Sequence, residues 1–294
     1  MIRKLAKGPL SPIFSVVWRI AVQCQLAALK FKWLLTGKAK PDARQQALVR
    51  ENVTFIFKSF ERQGMARRLY RSIQAYYPGV RVIIADDSRE PLDLEGPGLT
   101  VIRLPFNSGL SRGLNQALER VSTPYVVRMD DDELLTPGSD FHGHLEFLMA
   151  HPEADLVAVQ LCDLPLRRNW QDGELQRYMR SGIAGAPKLL RIPHGTWIDG
   201  DHVVLGKTPN TFIARTEPYR ALGYDDCIRM IDHQEFFWRA AGNLVSVLDR
   251  RAYVFHCHNI FDRNYRRFRS DVEGDRAYIR RKHFGEPQQK ENQE

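Results

Sequence analysis

The sequence predicts an α/β fold, a doubly wound and mainly parallel sheet flanked by helices, and three observations carry that prediction. Short β-branched or aromatic runs alternate with amphipathic stretches from residue 52 onward, no internal repeat or low-complexity tract interrupts them, and acidic residues recur where the apolar runs stop. With 294 residues and 43% hydrophobic content the chain can fill the core of such a sheet.

Ahead of the alternating pattern lies a segment of different character. Residues 1–50 hold ten Lys or Arg and one acid, Asp42, leaving 33 basic and 34 acidic side chains elsewhere. The net charge of +8 therefore belongs to an N-terminal extension, and a near-neutral body argues against a nucleic-acid groove. Within the extension, "IFSVVWRIAVQCQLAALKFKWLL" places Ser15, Arg19, Gln23 and Lys30 on one stripe of a helix, with Phe14, Val17, Ile20 and Trp33 away from it. An Arg near mid-span costs about 2.5–3.5 kcal/mol in a bilayer. The expectation is a basic amphipathic helix in peripheral contact with an anionic membrane through residues 8–40, with packing on the body as the alternative. Arg3, Lys4, Lys7, Lys38 and Lys40 supply the basic flanks. The four cysteines are far apart and form no CxxC pair, which fits a reducing compartment, hence a cytoplasmic location on the inner face of the membrane.

The body then reads in order. "NVTFIFKSF" is a buried strand ending near Lys58, "GMARRLYRSIQAYYPG" a helix stopped by Pro78 and Gly79, "VRVIIADDS" a second strand and "LTVIRLP" a third. "SGLSRGLNQALERV" is a helix opening after Asn107, and "TPYVVRM" a fourth strand. A helix at "FHGHLEFLMAH", a strand at "ADLVAVQLC", a strand and short helix at "NTFIARTEPYRALGY", a helix at "DHQEFFWRAAG" and strands at "NLVSVLD" and "AYVFHCH" complete it. We expect one domain over 51–285, preceded by the extension 1–50 and followed by a disordered polar tail, 286–294. In such sheets ligands collect beyond the carboxyl ends of the strands, where Asp86 and Asp87 close one strand and Asp130, Asp131 and Asp132 another.

Three adjacent carboxylates repel one another unless water or a cation relieves them. Asp130 and Asp132, two residues apart, suit a hard ion such as Mn²⁺ or Mg²⁺ that is also held by diphosphate oxygens, with Asp131 beside them at the nucleotide. Gly109 and Gly113 flank a helix start whose backbone N–H groups can meet anionic oxygens; Arg112 adds a fork of donors, and Asn107 either joins them or caps the helix.

"RMDDDELL" is similar to the DxD signature of nucleotide-sugar glycosyltransferases of GT-A fold, and "VTFIFKSFER", "VIIADDS", "NSGLSRGLN" and "YVVRMDDD" follow in the order and spacing of glycosyltransferase family two. Over roughly 52–260 the chain resembles the catalytic domain of β-1,4-N-acetylgalactosaminyltransferases, sharing the "VIIADDS" block, the aspartate triplet, the "NTFIART" strand and the "HQEFF" helix. The resemblance implies an inverting, metal-dependent transfer of an N-acetylhexosamine from a UDP-sugar to a hydroxyl of a glycan or glycolipid. It implies that Asp87 or Asp86 hydrogen-bonds the uracil, that Phe57 and Lys58 lie beside the nucleotide, and that a late-strand histidine, His256 ahead of His258, completes the metal shell. The general base falls on the helix holding Glu235, the first choice, and Asp232 three residues earlier. A membrane-associated module that binds nucleotide or glycan without turnover is the alternative. Tyr265, Phe268 and Tyr278 in the basic C-terminal run could instead stack on nucleic-acid bases, which Asp271, Glu273 and Asp275 oppose.

Overall fold

The computed structural model describes residues 8, 10–37, 40–165, 172–181, 188–268 and 272–285. The expected tail 286–294 and the basic residues Arg3, Lys4, Lys7 and Lys38 lie outside the described residues. Helix α1 (Ser11–Leu35) is followed by α2 (Ala43–Asn52), which opens on a capping box between Asp42 and Gln45. Then come β1 (Val53–Ser59), α3 (Gln63–Tyr76), β2 (Arg81–Asp86), β3 (Leu99–Arg103), α4 (Leu110–Glu119), β4 (Tyr125–Arg128), β5 (Glu133–Leu134), α5 (Phe141–Ala150) and β6 (Leu156–Asp163). The second half contains α6 (Asp172–Ser181), β7 (His202–Val204), β8 (Phe212–Arg215), α7 (Thr216–Leu222), α8 (Asp232–Ala240), β9 (Ser246–His256), α9 (Arg263–Phe268) and α10 (Glu273–Phe284).

All nine strands join one sheet in the order β3-β2-β1-β4-β8-β6-β9-β5, with β7 on β9. The first four are parallel, as the alternation predicts. Beyond β4 the sheet becomes mixed: β8 runs antiparallel to β4 and β6, while β6 and β9 pair in parallel.

Alternate residues of β1 serve two cores. Phe55 and Phe57 pack with Leu69, Ile73 and Phe141 on one face, while Ile56 packs with Leu114, Phe212 and Phe236 on the other. A strand buried on both faces reads as an unbroken apolar run, and "VTFIF" does. Register fixes the site: Ser59 pairs with Asp86 and Ile56 with Arg128, so the acidic pair and the triplet emerge at the same carboxyl edge. Two-residue β5, starting directly after the triplet, pairs Glu133 with His256 and draws the end of β9 to that edge.

Helix α1 docks on the body. Its stripe of Ser11, Ser15, Val22, Leu26 and Leu29 is buried, and Trp33 stacks on Phe255 at 5.6 Å. Asn259 donates to the Ser15 hydroxyl at 2.9 Å, and Trp18 donates from its indole N–H to the His258 carbonyl at 3.0 Å. Ser15, expected on the polar outer stripe, therefore faces inward, while Leu10, Ile13, Val17, Ile20, Phe31 and Leu34 point outward. A residue periodicity of 3.6 defines stripes but not which stripe a partner covers. By length and composition α1 is also sufficient to cross a membrane.

Candidate active site

The three aspartates turn three ways. Asp130 pairs with the wholly buried Arg128 guanidinium at 2.9 Å. Asp131 pairs with Arg62, and Asp132 accepts from Arg62 Nη1 at 2.9 Å. Asp132 is also 3.6 Å from His256 Nε2 and 3.4 Å from His258 Nδ1. His256 Nδ1 is hydrogen-bonded to Asp163 at 2.7 Å, which orients the ring with Nε2 toward Asp132. Burial alone would lower the His256 pKa, but Asp132 and Asp163 raise it to about 10. Burial pushes the Asp131 carboxyl up, whereas for Asp132 burial is outweighed by Arg62 and His256 and its carboxyl lies well below the usual range. Beneath them Glu133 is fully buried, accepting from Asp130 N at 3.1 Å and from the Thr211 hydroxyl at 2.5 Å, and desolvation raises its pKa.

Ligand atoms of Asp132, His256 and His258 lie within 4.8 Å of one another. One carboxylate and two imidazoles make a donor set that fits a divalent ion, Mn²⁺ better than the oxygen-seeking Mg²⁺. The structure thus brings Asp132 and His256 together and adds His258, whereas Asp130 leans to Arg128. These groups line a cleft of about 370 Å³ with Lys58 on one wall and Arg229 and Tyr265 on others.

Behind the cleft wall, Asp87 is buried, bound by the cleft-lining Lys58 through Nζ at 2.5 Å and by the N–H of Gly109, also in the lining, at 3.1 Å. Burial pushes its carboxyl pKa up against the pull of Lys58. Asp86 is committed elsewhere. It accepts from the Ser88 hydroxyl at 2.6 Å, Leu92 N at 2.8 Å and Arg103 Nη1 at 2.9 Å, holding the turn after β2. Phe57 is wholly buried in the core, while Lys58 lies over Phe60 at 4.7 Å in the cleft. Gly109 is the N-cap of α4 at φ 104°, and a side chain there would meet Arg229, so glycine is required twice over. Asn107 lines the cleft at φ 55° and does not cap α4; its carbonyl accepts from Arg229 Nη2 at 2.6 Å. Arg112 is exposed and outside the cleft lining.

Asp232 and Glu235, on one helix, have different surroundings. Glu235 Oε1 is ringed by Arg239 at 2.7 Å and by Lys282 and His283 at 3.1 Å, both from α10. Burial opposes ionisation, but Arg239 and Lys282 lower its pKa. Asp232 opens α8 just after Arg229 and Met230, which line the cleft, and its charge supports the buried Arg128. Between them His233 is hydrogen-bonded through Nε2 to the Thr208 carbonyl at 2.7 Å, and burial, with Lys207 nearby, pushes its pKa down to about 3. The unfolded chain takes up this proton near pH 6.5 and the native state only near 3, so stability falls as the pH drops below 6.5. Unfolding midpoints measured from pH 7 to 4 should decline in the parent and decline less in His233→Gln.

Sequence reasoning missed Arg62, which grips two of the aspartates and lies 3.7 Å from the Tyr265 ring. Tyr265 and Phe268 pack on cleft residues rather than standing free to stack on bases; Phe268 meets Phe60 at 5.1 Å. The signal for Arg62 was its position four residues after Lys58, in the loop leaving a carboxyl strand end.

Residues 54–197 match Glycosyl transferase family 2. Beta-1,4 N-acetylgalactosaminyltransferase 2 of Mus musculus is 28% identical over 231 residues, covering 77% of this chain and 44% of the relative. Beta-1,4 N-acetylgalactosaminyltransferase 1 of Homo sapiens is 33% identical over 199 residues, 65% of this chain and 36% of the relative. The chain spans less than half the length of these curated relatives. Among solved structures, the mannosyltransferase PcManGT from Pyrobaculum calidifontis, in complex with GDP-Man and Mn²⁺, superposes with a TM-score of 0.53 at 16% identity, covering 90% of this chain and 76% of that one. S. aureus TarS 1-349 in complex with UDP-GlcNAc gives 0.52 at 15% identity over 69% of this chain and 58% of that one. At these identities the likeness is one of fold, the GT-A type.

Proposed function

We propose that this chain, whose residues 54–197 match glycosyl transferase family 2, is an inverting transferase that moves a sugar, an N-acetylhexosamine before others, from a UDP-sugar to a hydroxyl of a glycan or glycolipid. The observation that carries this reading is the meeting of Asp132, His256 and His258 in the lining of a cleft that also includes Lys58, the partner of the buried Asp87. The relatives act on N-acetylgalactosamine by name, and one fold neighbour was solved with UDP-GlcNAc.

In this reading Asp132, His256 and His258 hold a divalent ion, which when bound offsets charge developing on the departing diphosphate. Arg62 holds the Asp131 and Asp132 carboxylates in place and keeps Asp132 ionised until then. Asp87 and Lys58 meet the nucleoside end, and the N–H groups at the start of α4 face the anionic oxygens. Asp232 takes the proton from the acceptor hydroxyl as that oxygen bonds to the anomeric carbon and the bond to the diphosphate breaks. One displacement of this kind inverts the carbon and requires no covalent intermediate. We assign the base to Asp232 because Arg239 and Lys282 pair with Glu235 and depress its basicity. A thermal-shift series with UDP-GalNAc, UDP-GlcNAc, UDP-Gal and GDP-Man, with Mn²⁺ or EDTA, tests the donor class: UDP-sugars with Mn²⁺ should raise the midpoint most, and equal shifts with GDP-Man would refute the uridine assignment.

The same proposal seats the body peripherally on an anionic membrane at a cytoplasmic face through α1. A span would have to detach the buried stripe and the Trp18 and Ser15 hydrogen bonds, whereas an interfacial position keeps them and covers the outward Ile13, Val17 and Ile20. Co-sedimentation with phosphatidylglycerol vesicles should fall at least about tenfold in a Val17→Asp, Ile20→Asp variant, and unchanged binding would dismiss α1 as the contact.

A further inference from the structure

A second group of ligating side chains lies away from the cleft. His144 on α5, His202 at the start of β7 and Asp249 on β9 bring three ligand atoms within 4.8 Å of one another. Asp249 precedes His256 by seven residues on the same strand, about 20 Å in extended chain, so this cluster is separate from the acidic triplet. The β7–β9 register sets His202 directly opposite Asp249.

The carboxylate is fixed and bifunctional. Its Oδ1 accepts from Arg251 N at 2.7 Å and Ala252 N at 3.3 Å, which leaves Oδ2 facing both imidazoles, His144 Nε2 at 2.9 Å and His202 Nε2 at 3.8 Å. A plain His144–Asp249 hydrogen bond accounts for the first distance and not for the second ring. His202 is held in place from elsewhere: Asp199 binds its Nδ1 at 2.9 Å, and Phe147 stacks on the ring at 4.0 Å. The nitrogen so aimed, Nε2, is buried and has no hydrogen-bond partner among the described residues. Zinc bonds of about 2.0–2.1 Å in a tetrahedron set neighbouring ligand atoms about 3.4 Å apart. The observed 2.9 and 3.8 Å bracket that value. A carboxylate on the far nitrogen of a histidine is the usual outer support of a metal ligand, and two nitrogens with one oxygen favour Zn²⁺ over Mg²⁺. Asp249 also lines a surface cavity of about 380 Å³.

We infer that His144, His202 and Asp249 form a second metal site that binds one Zn²⁺, with a fourth position for water, and ties α5 to the β7–β9 pair. The test uses the full chain carrying D132N and H256Q, which dismantles the cleft cluster. After EDTA treatment and removal of the chelator, this chain should retain one equivalent of added Zn²⁺ through gel filtration, and its unfolding midpoint should rise by about 5–10 °C. Adding H202Q should abolish both effects. Retention of no zinc, or equal retention with H202Q, overturns the assignment. Should the H202Q chain fail to fold, the Co²⁺-loaded D132N/H256Q chain decides alone: a visible absorption band of tetrahedral cobalt supports the site, and its absence overturns it.

Discussion

Replacing Asp132 by Asn is expected to lower the rate of sugar transfer by about 10²–10⁴-fold, a loss of roughly 3–5 kcal/mol of transition-state stabilisation. Among the described residues Asp132 is the one carboxylate that faces both His256 and His258, and the amide keeps its shape while removing the charge that a divalent ion requires. Fold loss should be modest, because Arg62 retains Asp131 as a partner and is not left as an unpaired buried cation. Asp130→Asn should cost less: its carboxylate lies 2.9 Å from Arg128 and outside the group that could hold a metal. Steady-state assays over a Mn²⁺ titration check both. Equal losses at 130 and 132 would mean that the ion sits between the outer carboxylates and that the imidazoles are bystanders.

The second large effect separates the two acids of α8. Asp232→Asn should reduce kcat by about 10²–10⁴-fold with little change in KM for the sugar nucleotide, as expected when a proton acceptor is lost and binding is not. Glu235→Gln should act mainly on stability. It removes the charge that Arg239, Lys282 and His283 share and loosens α10, for about 1.5–3 kcal/mol, with activity of the folded protein within about tenfold of the parent. The two variants compared by kcat and by urea midpoint give opposite patterns. If Glu235→Gln abolishes turnover in a well-folded protein, the base is Glu235.

The contrast at α8 also shows where sequence reasoning reaches its limit. Residues 232 and 235 share a helix face by spacing, so periodicity alone cannot rank them. What separates them is α10, some fifty residues downstream, whose Lys282 and His283 arrive only in three dimensions. The parallel half of the sheet was legible because β1, β2 and β4 are apolar runs that end in polar residues, and the triplet was legible because adjacent carboxylates demand relief. Arg62 was not, because a lone arginine in a loop looks like surface until the loop folds back over β4. Asp86 and Asp87 illustrate the same point: neighbours on a strand end point opposite ways, and only the structure shows one closing a turn and the other facing Lys58 and Gly109. For α1 the amphipathic period was readable, but its inward stripe is chosen by Phe255 and Asn259, more than two hundred residues away.

The central claim is that this acidic edge grips a divalent ion against the diphosphate of a UDP-sugar. Release of UDP from UDP-GalNAc and UDP-GlcNAc, followed with Mn²⁺ and with EDTA across a panel of glycan and glycolipid acceptors, tests it most directly. Acceptor-stimulated UDP release with Mn²⁺ that EDTA and Asp132→Asn both suppress is the expected result; release that persists undiminished in EDTA and in Asp132→Asn, or silence across the whole panel, would contradict metal-assisted transfer at this edge.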